Sequence, residues 1–194
     1  MLIDMSSVWG NIKLVENLVS EEDFALLSKY RARSKYVRGL TLSKVQGMSL
    51  NVSEGYFVML KLSLAFSAVE MISKVTHRSN NLGICDKSVV SALNNGRFDK
   101  LLMAIDKDNL RRYPKSESNQ VGKWKNLHPQ RDLTPFVVQC RNFMLHGSFS
   151  PSESGLSSSS SLRGMILGLA EASLEAGDMA LEKWALKLLK SPTK

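Results

Sequence analysis

The sequence predicts an all-α fold: a bundle of antiparallel helices with, at most, one marginal short hairpin. Apolar residues recur at helical spacing over several long segments that contain no proline. Residues that favour helix starts and helix ends stand at the borders of these segments. With 194 residues, of which 43% are hydrophobic and 23% are charged, the composition excludes disorder over most of the chain. We expect a single domain spanning residues 1–194.

The first predicted helix begins after Ser20, a good N-cap, and acidic residues follow in its first turn, where the helix dipole favours them. Short apolar runs on either side of Gly47 predict, at most, a small hairpin between 40 and 52. A long and largely buried helix is predicted from Ser53 to Val75, because its apolar residues keep helical spacing. Two shorter helices are predicted at 86–93 and 97–105.

The second half alternates irregular segments with helices. Residues 109–133 show no period and are predicted to form an irregular basic loop. A helix is predicted from Pro135 to His146, with Thr134 as its N-cap and Gly147 as a left-handed cap. Serine-rich residues 147–161 predict a mobile loop.

The final helix is predicted at 162–190. Small residues four apart along it should let a neighbouring helix approach closely, and these are Gly164, Gly168, Ala172, Ala176 and Ala180.

Several classes of site are excluded by the residue pattern. The three histidines, His77, His128 and His146, lack metal-ligand spacing, and two cysteines are too few for a disulfide scaffold. A glycine-rich phosphate loop is also missing. We therefore expect no metal or cofactor. We also expect a cytoplasmic protein without a membrane span, because neither a basic leader nor an apolar run of about 20 residues is found. The net charge of +8 favours an anionic partner.

The predicted helix 135–146 has three distinct faces when it is wound at about 100° per residue. A core stripe contains Phe136, Val137, Cys140, Phe143 and Met144, and a polar stripe contains Gln139, Asn142 and His146. Val138 and Leu145 lie away from the core, next to Arg141. We interpret this apolar pair as the dimer interface of a two-fold helix pair that brings Arg141 and His146 of both copies into one cleft. The alternative is a contact within one chain.

The run Arg141-Asn142-Phe143-Met144-Leu145-His146-Gly147 resembles the signature of HEPN-domain proteins. In that signature Arg is followed by a polar residue, often Asn, and after a short spacer by His. The segment Ala68-Val69-Glu70 resembles a step in the family's earlier helix. HEPN proteins are small helical dimers, and many are metal-independent ribonucleases of toxin–antitoxin, antiviral and RNA-processing systems.

The resemblance implies an endoribonuclease, in the role of a toxin or defence effector, with Arg141, Asn142 and His146 as catalytic residues and an antitoxin as a further partner. It also implies attack by a ribose 2′-hydroxyl that leaves a 2′,3′-cyclic phosphate. The residue types suit this chemistry, because imidazole transfers protons near neutral pH and guanidinium binds phosphate oxygens.

Two basic stretches are expected to contact RNA. Residues 29–44 contain six Lys or Arg and no acidic residue, and residues 111–131 contain six against one Glu. Trp124 is available for stacking on a base. The alternative is that both stretches are solvated faces. The residues expected to bind RNA are Arg31, Arg33, Lys35, Arg38, Arg111, Arg112, Lys123, Trp124 and Lys125.

Glu70 lies in an otherwise apolar helix and is predicted to be a structural partner of Arg141 or Lys74, or else to lie at the cleft. Two other functions remain open. One is a non-catalytic HEPN-like module that binds a nucleotide, RNA or a partner protein such as a nucleotidyltransferase. The other is a helical adaptor in which the motif is accidental.

Overall fold

The computed structural model describes residues 13–14, 16–43, 45–76, 82–114 and 119–190. These residues form seven α-helices and a short 3-10 turn, and they contain no strand. The predicted all-α fold class is therefore confirmed. Lys44, His77 and Lys115 lie outside the described residues. The helices are α1 (Glu21–Gly39), α2 (Leu50–Val75), α3 (Lys87–Asn94), α4 (Asp99–Arg112), α5 (Gln120–Lys123), α6 (Thr134–Leu145) and α7 (Ser160–Lys190).

Helix α2 is the central element of the fold. It packs against α7, α1 and α6, so it must be apolar on several sides, and Leu62, Phe66 and Val69 are fully buried along it. The helix begins at Leu50, earlier than predicted, because the Ser49 hydroxyl accepts a hydrogen bond from a backbone N–H of its first turn.

The sequence predicted no segment that could span a membrane. By length and composition alone, however, α2 could do so. The helix has 26 residues, and the mean hydropathy of its apolar 18-residue window is 1.5. In this fold 56% of that window is buried. The central helix of a bundle has the same length and composition, because neighbours cover most of its surface.

Helices α1 and α7 are joined by a buried polar cluster. The Tyr30 hydroxyl donates to Asp178 Oδ1 at 2.5 Å, and Arg38 Nη2 donates to Asp178 Oδ2 at 2.6 Å. Gly177 makes room for this cluster, since a Cβ there would lie 3.0 Å from the Tyr30 hydroxyl. The close approach between α7 and α1 therefore occurs at Gly177, which is not part of the predicted stripe of small residues. Gly164 belongs to that stripe, but a Cβ there would meet open space.

The described residues between 40 and 49 contain one turn, at Gln46 and Gly47, and no strand, so the predicted hairpin is wrong. Gly47 has a φ of 80°, which favours glycine. The second apolar run does not become a strand, because Ser49 caps α2 and Leu50 is already helical.

The predicted irregular loop 109–133 contains regular structure. Helix α4 continues to Arg112, and the short helix α5 lies beyond it. The Asp106 carboxylate accepts hydrogen bonds from the Gln120 backbone N–H at 2.9 and 3.0 Å, which fixes α5 to α4. Helix α4 also packs against α6, and this contact positions the candidate site.

The serine-rich connection between α6 and α7 was predicted to be a mobile loop, and the structure shows that parts of it pack on the bundle. The Phe149 ring is buried and lies edge-on to Phe143 at 5.7 Å. Pro151 packs so closely on α2 that a Cβ at Gly55 would lie 2.6 Å from the Pro151 Cβ. The apolar residues between the serines anchor the segment, and composition alone did not reveal this.

Candidate functional site

Helix α6 carries the Arg-Asn-His motif, and hydrogen bonds near its ends define its length. Thr134 is the first helical residue and not the N-cap as predicted. Asp132 Oδ1 accepts from the Thr134 backbone N–H at 2.9 Å and from its hydroxyl at 2.7 Å. The helix ends at Leu145, and Gly147 has a φ of 72°, as expected for a left-handed cap.

His146 is held by a buried carboxylate on α4. Its Nδ1 lies 3.0 Å from Asp108 Oδ2. The Asp108 side chain is 3% exposed, whereas the His146 side chain is 32% exposed. An ionised carboxylate only accepts hydrogen bonds, so a neutral imidazole carries its proton on Nδ1 and keeps the lone pair on Nε2. Asp108 thus fixes both the tautomer and the ring orientation, as an orienting carboxylate does for a general base.

Two arginines of α4 surround this pair. Arg112 Nε lies 3.1 Å from Asp108 Oδ2, and its Nη2 donates to the His146 carbonyl oxygen at 3.1 Å. Arg111 Nη2 lies 3.4 Å from Asp108 Oδ1 and 2.5 Å from Ser148 Oγ. Burial alone would raise the pKa of Asp108, but hydrogen bonds from Ser148, His146 and Arg112 and the charge of Arg112 outweigh it and lower that pKa. Asp108 is therefore ionised at neutral pH.

Arg141 lies on another flank of α6 and binds a different helix. Its Nη2 pairs with Glu70 Oε1 of α2, so Arg141 is the partner among the alternatives that the sequence left open for Glu70. Its Nη1 donates to Asn142 Oδ1 at 3.0 Å, and its guanidinium lies 5.7 Å from the centroid of the Phe66 ring. Arg141 and His146 are about 140° apart around the helix. A single chain therefore does not place them on one face.

Leu145 lies between these two flanks and is 64% exposed. Val138, its predicted partner in the dimer interface, is half-buried and packs against the core of its own chain. The outward apolar surface of α6 is therefore smaller than predicted. Cys140 is fully buried, and burial raises the pKa of its thiol, as expected of a core residue.

A pocket of about 250 Å³ opens beside the carboxylate that holds His146. Helix α4 forms one wall, and α6 with the segment after it forms the other. The lining residues are Ala104, Lys107, Asp108, Arg111, Phe143, Ser148 and Glu153.

The site is thus a histidine–carboxylate pair flanked by guanidinium groups. No family model, curated protein or solved structure matches this chain. The HEPN resemblance therefore rests on the motif residues of the sequence. Within the described ranges, no group of three or more His, Cys, Asp or Glu side chains could hold a metal ion.

The basic residues of α1 divide into two groups. Arg31, Arg33 and Lys35 are exposed, as contact with RNA would require. Arg38 instead pairs with Asp178 and holds α1 against α7. Its predicted role is therefore corrected to a structural one.

The prediction that Trp124 stacks on RNA is wrong. Its side chain is 1% exposed, and the ring lies 5.3 Å from that of Phe136 beneath α6. Its Nε1 donates to Gln120 Oε1 at 3.3 Å and to Gln139 Oε1 at 3.2 Å. The indole therefore fills the core, and its one polar atom is satisfied there.

The neighbouring lysines of Trp124 remain on the surface. Lys123 is exposed, and Lys125 is exposed but pairs with Asp99 at 3.2 Å. Charge therefore remains in this stretch although its aromatic residue is buried.

Asp108 is the site residue that the sequence analysis missed. A signal was present, because Arg111 and Arg112 follow it at the i+3 and i+4 spacing of helical ion pairs. The predicted helix ended at Ile105, however, so these ion pairs were not expected. The two arginines, predicted only as RNA contacts, also hold the carboxylate that orients His146.

Proposed function

We propose that this protein is an endoribonuclease in which His146 transfers the proton of a ribose 2′-hydroxyl and in which no metal ion is required. The observation that carries the proposal is the buried Asp108 carboxylate at Nδ1 of a partly exposed imidazole. Proton transfer by a positioned imidazole typically accelerates a reaction by about 10²–10⁴-fold. The HEPN resemblance supports RNA as the substrate.

In the proposed reaction the 2′-oxygen forms a bond to the adjacent phosphorus while the bond from phosphorus to the 5′-oxygen breaks. His146 Nε2 takes the 2′-hydroxyl proton, and a second acid gives a proton to the leaving 5′-oxygen. The products are a 2′,3′-cyclic phosphate and a 5′-hydroxyl. Negative charge builds up on the phosphate oxygens, and the exposed guanidinium of Arg111 beside the pair can stabilise it.

Asn142 lies on the same polar stripe as His146, one helical turn before it. Its Oδ1 accepts from Arg141, so its amide nitrogen remains as the donor that can reach a phosphate oxygen. Arg141 then acts as a positioning residue: Glu70 holds the guanidinium, and the guanidinium holds the Asn142 amide.

A second copy of the chain would supply the second acid. In the proposed dimer, the α6 helices of the two copies pack antiparallel around a two-fold axis at Leu145. The flank that carries His146 then lies on the same side of the interface in both copies. This arrangement brings the two His146 side chains to one side, where one is the base and the other the acid. The exposed Leu145 side chain is the contact available for such a homodimer.

The test is cleavage of total RNA and tRNA by purified protein in the presence of EDTA. His146→Ala should abolish cleavage while circular dichroism and dimer mass stay unchanged. The matched control is His128→Ala, because His128 is exposed and its side chain accepts only a local backbone N–H among the contacts found. Cleavage by the His146 variant would refute its catalytic role, and loss of wild-type activity in EDTA would refute the metal-free mechanism.

The contacts of Arg141 favour one other function. Its guanidinium is already engaged by Glu70, Asn142 and the Phe66 ring, which is typical of a structural arginine. A non-catalytic module that binds RNA, a nucleotide or a partner protein needs no free guanidinium at that position. Dimerisation and RNA binding without any cleavage would support this second function.

A further inference from the structure

We propose that the pocket beside Asp108 binds one guanine base, so that the protein cleaves RNA next to guanine. The cleavage half of this inference rests on the proposed ribonuclease function. Its binding half can be tested with nucleotides that are not cleaved.

The size and walls of the pocket fit a single base. Its volume of about 250 Å³ is below the range of roughly 300–1,000 Å³ that is usual for drug-sized ligands. Ala104 and the buried Phe143 provide the apolar part of the wall. Unstacked bases of single-stranded RNA are recognised by apolar contact with their faces and by hydrogen bonds to their edges.

The rim of the pocket carries a donor and an acceptor side by side. Lys107 Nζ lies 3.7 Å from Glu153 Oε1, and both side chains are largely exposed, so a ligand can replace their weak ion pair. The Watson–Crick edge of guanine has the acceptor O6 next to two donors, N1–H and the N2 amino group. Lys107 can donate to O6 while both Glu153 oxygens accept from the two donors.

The other bases fit this rim less well. Adenine and cytosine each present one amino group next to an acceptor nitrogen, and uracil presents one N–H between two carbonyl oxygens. A carboxylate can therefore make two hydrogen bonds with guanine and one with each other base. Lys107 and Glu153 therefore select guanine by the number of hydrogen bonds that they make with its edge.

The pocket also lies in the right place for the proposed reaction. Asp108 lines the pocket and also binds Nδ1 of His146, so the proposal places the ribose and phosphate of a base held there on the side of the imidazole. Arg111 lines the same pocket and can contact the phosphate. In this proposal the α4 wall of the pocket both contacts the base and holds the phosphate at which the RNA is cleaved.

The first experiment measures binding of the four nucleoside 3′-monophosphates by calorimetry, with His146→Ala as the background so that chemistry plays no part. Guanosine 3′-monophosphate should bind at least about fivefold more tightly than the other three. This is the low end expected for a bidentate base contact, because Glu153 is largely exposed. Glu153→Gln replaces one acceptor by a donor and should remove the preference. Glu175→Gln, an exposed change on α7, should keep it.

The second experiment maps the cleavage sites of wild-type protein and of the Glu153 variant on an unstructured RNA. Guanine preference in binding without any cleavage would refute the proposed ribonuclease and leave the guanine pocket standing. Cleavage at all four bases, with equal binding of the four nucleotides, would refute the pocket and leave the ribonuclease standing. Equal binding that is competed by inorganic phosphate alone would show a phosphate site and would overturn the guanine assignment.

Discussion

Replacing Asp108 with Asn tests how the candidate site is held together, because Asn keeps the size of the side chain and removes its charge. The carboxylate accepts from Arg112 and pairs with Nδ1 of His146, with Arg111 at its edge. A hydrogen bond to a charged group contributes about 1.5–3 kcal/mol to stability, and solvent screening reduces the contribution of exposed partners. We expect the variant to lose about 1–3 kcal/mol in its free energy of unfolding at pH 7.

The pH dependence of that loss follows from the lowered pKa of Asp108. A depressed folded-state pKa gives stability that is fully present above the unfolded value, near 3.8, and that is lost as the pH falls through the folded pKa. The difference between wild-type protein and Asp108→Asn should therefore be largest at neutral pH and should shrink below about pH 4. Urea unfolding of both proteins at pH 7, 5 and 3, with Glu175→Gln as a control, measures this difference.

The same variant tests the orienting role of Asp108. An Asn amide can turn its NH₂ group toward Nδ1, which favours the tautomer whose Nε2 cannot accept a proton. We expect RNA cleavage to fall by about 10²–10⁴-fold, while affinity for a 2′-O-methyl RNA changes little. Wild-type cleavage by the folded variant, or a stability loss as large at pH 3 as at pH 7, would refute this reasoning.

Three further variants test the fold and the interface. Tyr30→Phe removes a buried donor to Asp178 and should cost about 1–3 kcal/mol in chemical unfolding; an unchanged midpoint would contradict the assigned hydrogen bond. Trp124→Ala should lower the free energy of unfolding by about 3–5 kcal/mol, but the folded protein should bind RNA as the wild type does. Weaker RNA binding by the folded variant would show that Trp124 stacks on a base. Leu145→Arg changes an exposed side chain, so thermal melting should stay the same while sedimentation shows a monomer; a persistent dimer would exclude this interface.

Local sequence signals predicted the helices well, because most of those signals act within one turn. Ser20 accepts a hydrogen bond from the backbone of its own first turn, and Gly147 takes the left-handed conformation that closes α6. A partner for Glu70 was also predictable, because a carboxylate in an apolar helix needs one, but only the structure shows that this partner is Arg141 and not Lys74.

Several of the incorrect predictions depend on contacts between distant segments. Trp124 lies in a basic and polar stretch, so nothing nearby in the sequence shows that its ring is covered by α6. Phe149 and Pro151 are surrounded by serines, and the composition of the segment does not show that they pack on α6 and α2. Asp108 was missed because the predicted helix ended at Ile105, and because its partner His146 is 38 residues away along the chain.

The contacts on the two flanks of α6 explain why we assign a direct role in the reaction to His146 and a positioning role to Arg141. Arg141 is turned toward α2 and is held there by Glu70, so moving it onto a phosphate would leave a partly buried carboxylate without its partner. Breaking this partly buried ion pair would lower the stability of the contact between α6 and α2. His146 carries no such cost, because Asp108 keeps Arg111 and Arg112 as partners whether or not the imidazole gains a second proton. The ion pair on one flank thus fixes α6 against α2, and the imidazole on the other flank can change its protonation state without disturbing the fold.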